Sequence, residues 1–317
     1  MPDGAKVDDD GGPIPDSSTG DTAIPPSGNP IEGIAAPTEV AVLTGVYTEG
    51  PVWTGTNLYF STYAAGGNGG AFVKLTPPNT SDAVHPATAG AFPLGNAVDP
   101  KAPSTFVSIE IVPGGPSGAL IRTPLAGGAG TPVVLSFDAG GAAFDAPNDL
   151  IIRKDGTIYM TDPGYQNPGT VTNHLWRISP TGGVFETVVE GRPNGVALSV
   201  DEKTLYVSFT DPPAPSLPQI MKYPVAVDGT LGVATKFSDV GPLLNDLDGI
   251  AVDASGNVYA AVKNGVDVFK ADGSAKWGHI TTTKPINNVA FGGADKKTLY
   301  MTSSAGMLQT VVKIAGL

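Results

Sequence analysis

One short pattern returns six times along the chain: a Glu, Asn or Asp, usually followed by a small or polar residue, that runs straight into an apolar stretch. The copies begin at Glu49 ("EGPVW"), Asn96 ("NAVDP"), Asn148 ("NDLII"), Asn194 ("NGVAL"), Asp248 ("DGIAV") and Asn287 ("NNVAF"), at separations of 47, 52, 46, 54 and 39 residues. Ten to thirteen residues after each comes a second apolar run, around Tyr59, Val107, Tyr159, Tyr206, Tyr259 and Tyr300. A period in the forties, made of short apolar strands punctuated by DG, GG, SG and NG turns, marks four-stranded blades set around an axis. Six copies predict an all-β fold, a six-bladed β-propeller. No stretch sustains helical periodicity beyond about two turns.

Composition agrees. Glycine (42) and proline (30) are abundant, 15% of residues are charged, and 41% are apolar, enough to bury a large core. The formal net charge of −12 repels nucleic acid and anionic membrane surfaces, so neither is expected as a partner. The absence of cysteine removes disulfides, thiolate zinc sites and cysteine nucleophiles together. No run approaches the roughly 18 apolar residues of a membrane span.

Residues 1–37 read as a disordered or extended acidic, Pro/Gly-rich linker and 38–317 as the six-bladed propeller. The first 36 residues hold seven acidic side chains against one lysine and are dominated by Pro, Gly, Ser, Thr and Asp, so little apolar surface is available to offset ordering entropy. Such a segment directly ahead of a compact domain is similar to the mature start of an exported bacterial protein or lipoprotein. A cytoplasmic protein with a polar tail is the alternative.

In a propeller the first strand of every blade lines the axis, so equivalent positions face one another. Glu49, Asn96, Asn148, Asn194, Asp248 and Asn287 therefore predict a polar, oxygen-rich ring. Burying its two carboxylates without a counter-charge would cost several kcal/mol each, and a cation offsets that cost. Oxygen donors without sulfur or histidine suit Ca²⁺, which takes six to eight oxygens at about 2.3 to 2.6 Å in irregular geometry. One divalent cation is expected, Ca²⁺ first, with Mg²⁺, Mn²⁺ or Zn²⁺ as alternatives. For a single copy, turn chemistry explains an Asn or Asp at a strand start; it does not call for Glu49 before a Gly-Pro pair.

The stretches "EGPVW" at 49, "PNDLIIRKDGTIYMTDPGY" at 147, "RPNGVALSVDEKTLYVS" at 192, "LDGIAVDASGNVYAA" at 247 and "NNVAFGGADKKTLYMTS" at 287 resemble the senescence marker protein/gluconolactonase family of six-bladed propellers, regucalcin among them, over residues 40–317. The resemblance implies a metal held by Glu49, Asn148, Asn194 and Asp248, four of the six repeat positions. It also implies hydrolysis of a sugar lactone or another small lactone in the central funnel. Asn96 and Asn287 would then contact substrate, and Glu110 falls where related lactonases often carry a Glu. Two stretches depart from the family pattern: Asp145 and Ala146 precede "PND" where relatives carry Asn-Ser or a nearby Arg, and "VSFTDPPAPS" follows Tyr206.

Water still needs a general base beside such an ion, and Asp248 is the candidate, with Asn148 and Asn194 orienting substrate. Tyr165 and His174, close to the "PND" and "TDPGY" segments, are candidate walls of the pocket. No G-x-S-x-G elbow, H-E-x-x-H helix or phosphate loop offers a competing centre, and His85, His174 and His279 lie far apart in sequence. Two other readings share the fold: a phosphotriesterase or arylesterase of the diisopropyl fluorophosphatase and paraoxonase type, and a binding propeller whose ion is structural. Substrate choice is expected in the loops 63–71, 137–147 and 209–219.

Overall fold

Each copy of the repeat folds into one antiparallel sheet of four strands, and six such sheets surround an axis. The computed structural model describes residues 26–43, 45–64, 69–76, 80–87, 90–111, 118–135, 144–166, 173–211, 219–238 and 247–317. β1 (Thr38–Val42) precedes the first repeat. Blade 1 holds β2 (Val46–Trp53), β3 (Leu58–Ala64), β4 (Gly70–Thr76) and β5 (Thr80–Pro86); blade 2 holds β6 (Phe92–Val98), β7 (Thr105–Ile111), β8 (Ala119–Pro124) and β9 (Thr131–Leu135). Blade 3 holds β10 (Leu150–Ile152), β11 (Ile158–Asp162), β12 (Asn173–Ile178) and β13 (Val184–Val189); blade 4 holds β14 (Arg192–Leu198), β15 (Thr204–Asp211), β16 (Gln219–Pro224) and β17 (Thr235–Lys236). Blade 5 holds β18 (Ile250–Val252), β19 (Val258–Val262), β20 (Gly265–Phe269) and β21 (Lys276–Thr281), and blade 6 holds β22 (Ile286–Gly292), β23 (Thr298–Ser303) and β24 (Gly306–Val311).

The fourth strand of blade 6 is β1, which pairs antiparallel with β24 and sets Thr38 opposite Gln309. The chain thus closes its own ring, as expected for "TEVAV". The first strands are neighbours around the circle: β2 meets β6, β6 meets β10, and so on through β14, β18 and β22 back to β2. Each repeat position lies on, or one to two residues before, the first strand of its blade, and each second apolar run is the second strand.

The blades hold together through aromatic and aliphatic side chains between the sheets. Tyr59, Phe72 and Phe106 stack in a column from blade 1 into blade 2, Trp176 meets Phe144 edge-on, and Tyr159 and Tyr259 are wholly buried. Each large apolar side chain buried in this way contributes about 1.5–3 kcal/mol. Trp53 stacks on Tyr300, and Trp277 donates its indole N–H to Asn257, so all three tryptophans are packing residues. Residues 26–37 lie against the last two blades: Ile31 and Ile34 pack on that core, Lys313 donates its backbone N–H to Pro30 and Thr310 its hydroxyl to Ala35. No helix occurs among the described residues, so none is long and apolar enough to cross a membrane.

Candidate functional site

The inner strands do not keep a plain two-residue alternation at the axis. In blade 3 the N–H of Asn148 donates to the Thr161 carbonyl while Thr161 N–H donates to the Asp149 carbonyl. In blade 5 Ala261 serves Asp248 and Gly249 in the same way, and register shifts fall at the equivalent place in β2, β6, β14 and β22. Two inner residues therefore oppose one outer residue, the count of a β-bulge, which turns side chains that strict alternation would separate toward one place.

Small residues make this crowding possible. A β-carbon on Gly249 would run into the Asn288 side chain, and one on Gly195 would meet the backbone of Asp248 and Gly249. This is why Asn194 and Asp248 are each followed by glycine. Second-strand hydroxyls stitch one blade to the next: Ser61 donates to the Leu94 carbonyl at 2.7 Å, Thr161 to Asn194 at 2.5 Å and Ser208 to Asp248 at 2.6 Å. Asp162, fully buried, accepts the N–H groups of Asp145 and Ala146 and the indole N–H of Trp176, and so fixes the chain that leads into Asn148.

Three carboxylates influence one another at the axis. Burial, and then the charge of Asp149, push Glu49 up to about 8. Burial pushes Asp149 up to about 6 against the hydrogen bonds it accepts from Leu150, Val196 and Asn288. Asp248 is held well above the usual carboxylate range by burial and by the charges of Glu49 and Asp149. No lysine or arginine pairs with any of the three among the described residues. Proton uptake or a cation is the only relief available to them.

Asn194 is held by its nitrogen. Its amide N–H₂ donates to the Thr210 hydroxyl at 3.1 Å and lies 3.5 Å from the Tyr165 hydroxyl, which leaves Oδ1 buried with no hydrogen-bond donor. The Asn148 backbone is tied on both sides, to Thr161 and Gly95, while its side-chain amide is left for other work. Among the described residues no three His, Asp or Glu side chains converge closely enough to hold an ion alone. An ion held here would have to draw on amide oxygens as well, a donor set that fits a hard, oxygen-seeking cation.

Other expected site residues have different surroundings. Asn96 is buried and donates to Gly50, Ser61 and Leu94, with its Oδ1 left without a donor. Asn287 donates to the Thr48 carbonyl; its neighbour Asn288 is the one that bonds Asp149 and Glu49. Glu110 lies between blades 1 and 2, 3.5 Å from His85. Tyr165 carries Arg192 over its ring, and His174 is buried against Trp176. His279 is bound to Asp267 in blade 5. Asp149 and Asn288 were not expected from the repeat, which singled out the first residue of the bulge in five blades. In blade 2 the bulge is Leu94–Gly95, and Leu94, whose carbonyl Ser61 bonds as Thr161 bonds that of Asn194 and Ser208 that of Asp248, takes the ring position in place of Asn96, which stands two residues further along β6.

A cavity of about 710 Å³ lies on one side of the ring, walled by Val52, Val98, Ile152, Leu198, Val252 and Phe291, with Asn96, Asp149 and Asn288 as its polar lining next to the ring. It is formed by the inner strands beyond the repeat positions. The described parts of the expected specificity loops, Tyr63, Ala64 and Asp211 among them, lie at the opposite end of the inner strands, and residues 65–68, 137–143 and 212–218 lie outside the described residues.

A profile of the "SMP-30/Gluconolactonase/LRE-like region" matches residues 47–305. The chain is similar to a gluconolactonase of Zymomonas mobilis subsp. mobilis, 27% identical over 93% of this chain and 86% of that one. Among solved structures it is similar to a gluconolactonase of Xanthomonas campestris, with a TM-score of 0.70, 28% identity and coverage of 92% and 99% of the two chains. It shares its fold with a calcium-binding protein, regucalcin, of Agrobacterium tumefaciens, at a TM-score of 0.66 and 17% identity over 88% and 98% of the chains.

Proposed function

Since the chain belongs to the SMP-30/gluconolactonase-like family, we propose that it is a metal-dependent lactone hydrolase working at the ring of Glu49, Asn148, Asn194 and Asp248. The observation that carries this reading is a charge imbalance: mutually raised buried carboxylates beside an undonated Asn194 Oδ1, with no basic partner among the described residues. The gluconolactonases to which it is similar across nearly its whole length support a sugar lactone or another small lactone as substrate.

Glu49, Asn148, Asn194 and Asp248 would hold the ion, Ca²⁺ on the chemistry of its donors, which when bound polarises the lactone carbonyl. The chain's own residues do the rest. Asp248, half-buried at the head of blade 5, takes a proton from water as the water oxygen adds to the carbonyl carbon. The ring C–O bond then breaks, and the departing oxygen recovers the proton to give the hydroxy acid. Asn148 orients the substrate through its uncommitted amide, and Asn194, clamped at its nitrogen by Thr210, keeps its oxygen in place. Asn288 hydrogen-bonds both Glu49 and Asp149 and so steadies Glu49 beside a carboxylate that repels it.

The test is hydrolysis of a panel of aldonolactones and simple γ- and δ-lactones with chelator and with added Ca²⁺, repeated on Asp248→Asn. The expected result is turnover that chelator abolishes and Ca²⁺ restores, lowered about a hundredfold or more in the variant. Turnover indifferent to chelator, or confined to fluorophosphates and aryl esters, would overturn the reading.

A further inference from the structure

The reaction above leaves one polar group close to the ring without a task. Tyr63 stands opposite Tyr47 in the β2–β3 pair, two residues along from the Glu49–Ser61 pair. Alternation along a strand places Tyr63 and Ser61 on one face of β3. That face looks toward blade 2, because Ser61 donates to Leu94 and the Tyr63 ring lies 5.1 Å from Phe92. On its other side the ring stacks on Tyr47, at 5.4 Å between centroids and 8° between planes. A side chain clamped between two aromatic rings has lost its rotational freedom, so its hydroxyl is aimed rather than loose.

That hydroxyl has no hydrogen-bond partner among the described residues, unlike the buried tyrosines Tyr59 and Tyr159, which donate to Leu125 and Gly229. It feels the charges of both Glu49 and Asp248, which together with burial hold its proton firmly in place. The group is therefore a lasting donor and never a base. It also stands on the side of the ring away from the apolar cavity, since the cavity is lined by the inner strands beyond Glu49 while Tyr63 pairs with Tyr47 before it.

Resting on the lactone hydrolase reading, we propose that Tyr63 touches the substrate: its O–H is donated to the carbonyl oxygen of the lactone, with the Tyr47 and Phe92 rings holding it in place. A neutral phenol suits this position, because it contributes a hydrogen bond that strengthens as negative charge builds on that oxygen and adds no charge to a site already rich in carboxylates.

Tyr63→Phe keeps the ring stack and removes the donor. With the best lactone of the panel, kcat/KM is expected to fall about tenfold, a change of about 1.4 kcal/mol, with most of the loss in kcat. The melting temperature, the bound Ca²⁺ and the shape of the pH profile should match the wild type. A variant whose kcat and KM equal those of the wild type overturns the proposal and leaves the lactonase reading standing. A variant that loses bound Ca²⁺ or melts early also overturns it, because Tyr63 would then be acting through the fold. A wild type inert toward every lactone overturns both at once.

Discussion

At the scale of single residues, the site is governed by protons as much as by ligands. Glu49, Asp149 and Asp248 all titrate above the ordinary carboxylate range in the ion-free protein. The folded chain therefore binds more protons than the unfolded chain between about pH 4, where free carboxylates titrate, and the raised values. When the native state holds the extra protons, stability falls as pH rises. With chelator present, the melting temperature should accordingly decline from pH 5 to pH 8, and saturating Ca²⁺ should remove most of that decline by taking the protons' place. Differential scanning calorimetry at four pH values checks this, and a melting temperature indifferent to both pH and Ca²⁺ would contradict it.

At the scale of the strand, the bulges decide which side chains meet. Gly249 sits where a β-carbon would strike Asn288, the residue that hydrogen-bonds Asp149. Gly249→Ala should lower stability by about 1–3 kcal/mol through overpacking and weaken Ca²⁺ binding in an isothermal titration, whereas alanine at the exposed, uncrowded Gly55 leaves Ca²⁺ binding unchanged. The same bulges explain what could be read from the sequence and what could not. Five of the six polar positions and the second strands at Tyr59 through Tyr300 were legible because they recur at a blade's length and carry strand chemistry. Asn96 reads as the sixth because blade 2 carries Leu94 at the ring, and the nearest polar residue stands two positions on. Asp149 and Asn288 were hidden because a bulge sends a second consecutive residue toward the axis, and alternation assigns that residue to the other face. Glu110 was read by analogy of position, and its pairing with His85 depends on how β5 and β7 pack across two blades, which no local pattern encodes. Tyr63 gave no signal at all, being one more aromatic in an apolar strand.

At the scale of the whole molecule, closure joins β1 to β24 and so ties the first blade to the last. Removing residues through Val42 deletes the fourth strand of blade 6 together with the contacts of Ile31 and Ile34. Such a truncation should melt many degrees below the full chain and lose Ca²⁺ binding, because Glu49 and Asn288 stand on the two blades that the closure holds in register; calorimetry of the two proteins gives the answer. This seam also bears on how the chain is made. The ribosome delivers β1 ahead of every blade and its partner β24 some 270 residues later, so β1 waits unpaired while all the strands between them are made. Pairing across that separation carries a large loop-closure entropy and comes last. Until it does, a nascent chain carries an open strand edge at each end of its row of blades, and a chaperone that shields β1 during translation would raise yield without touching the chemistry.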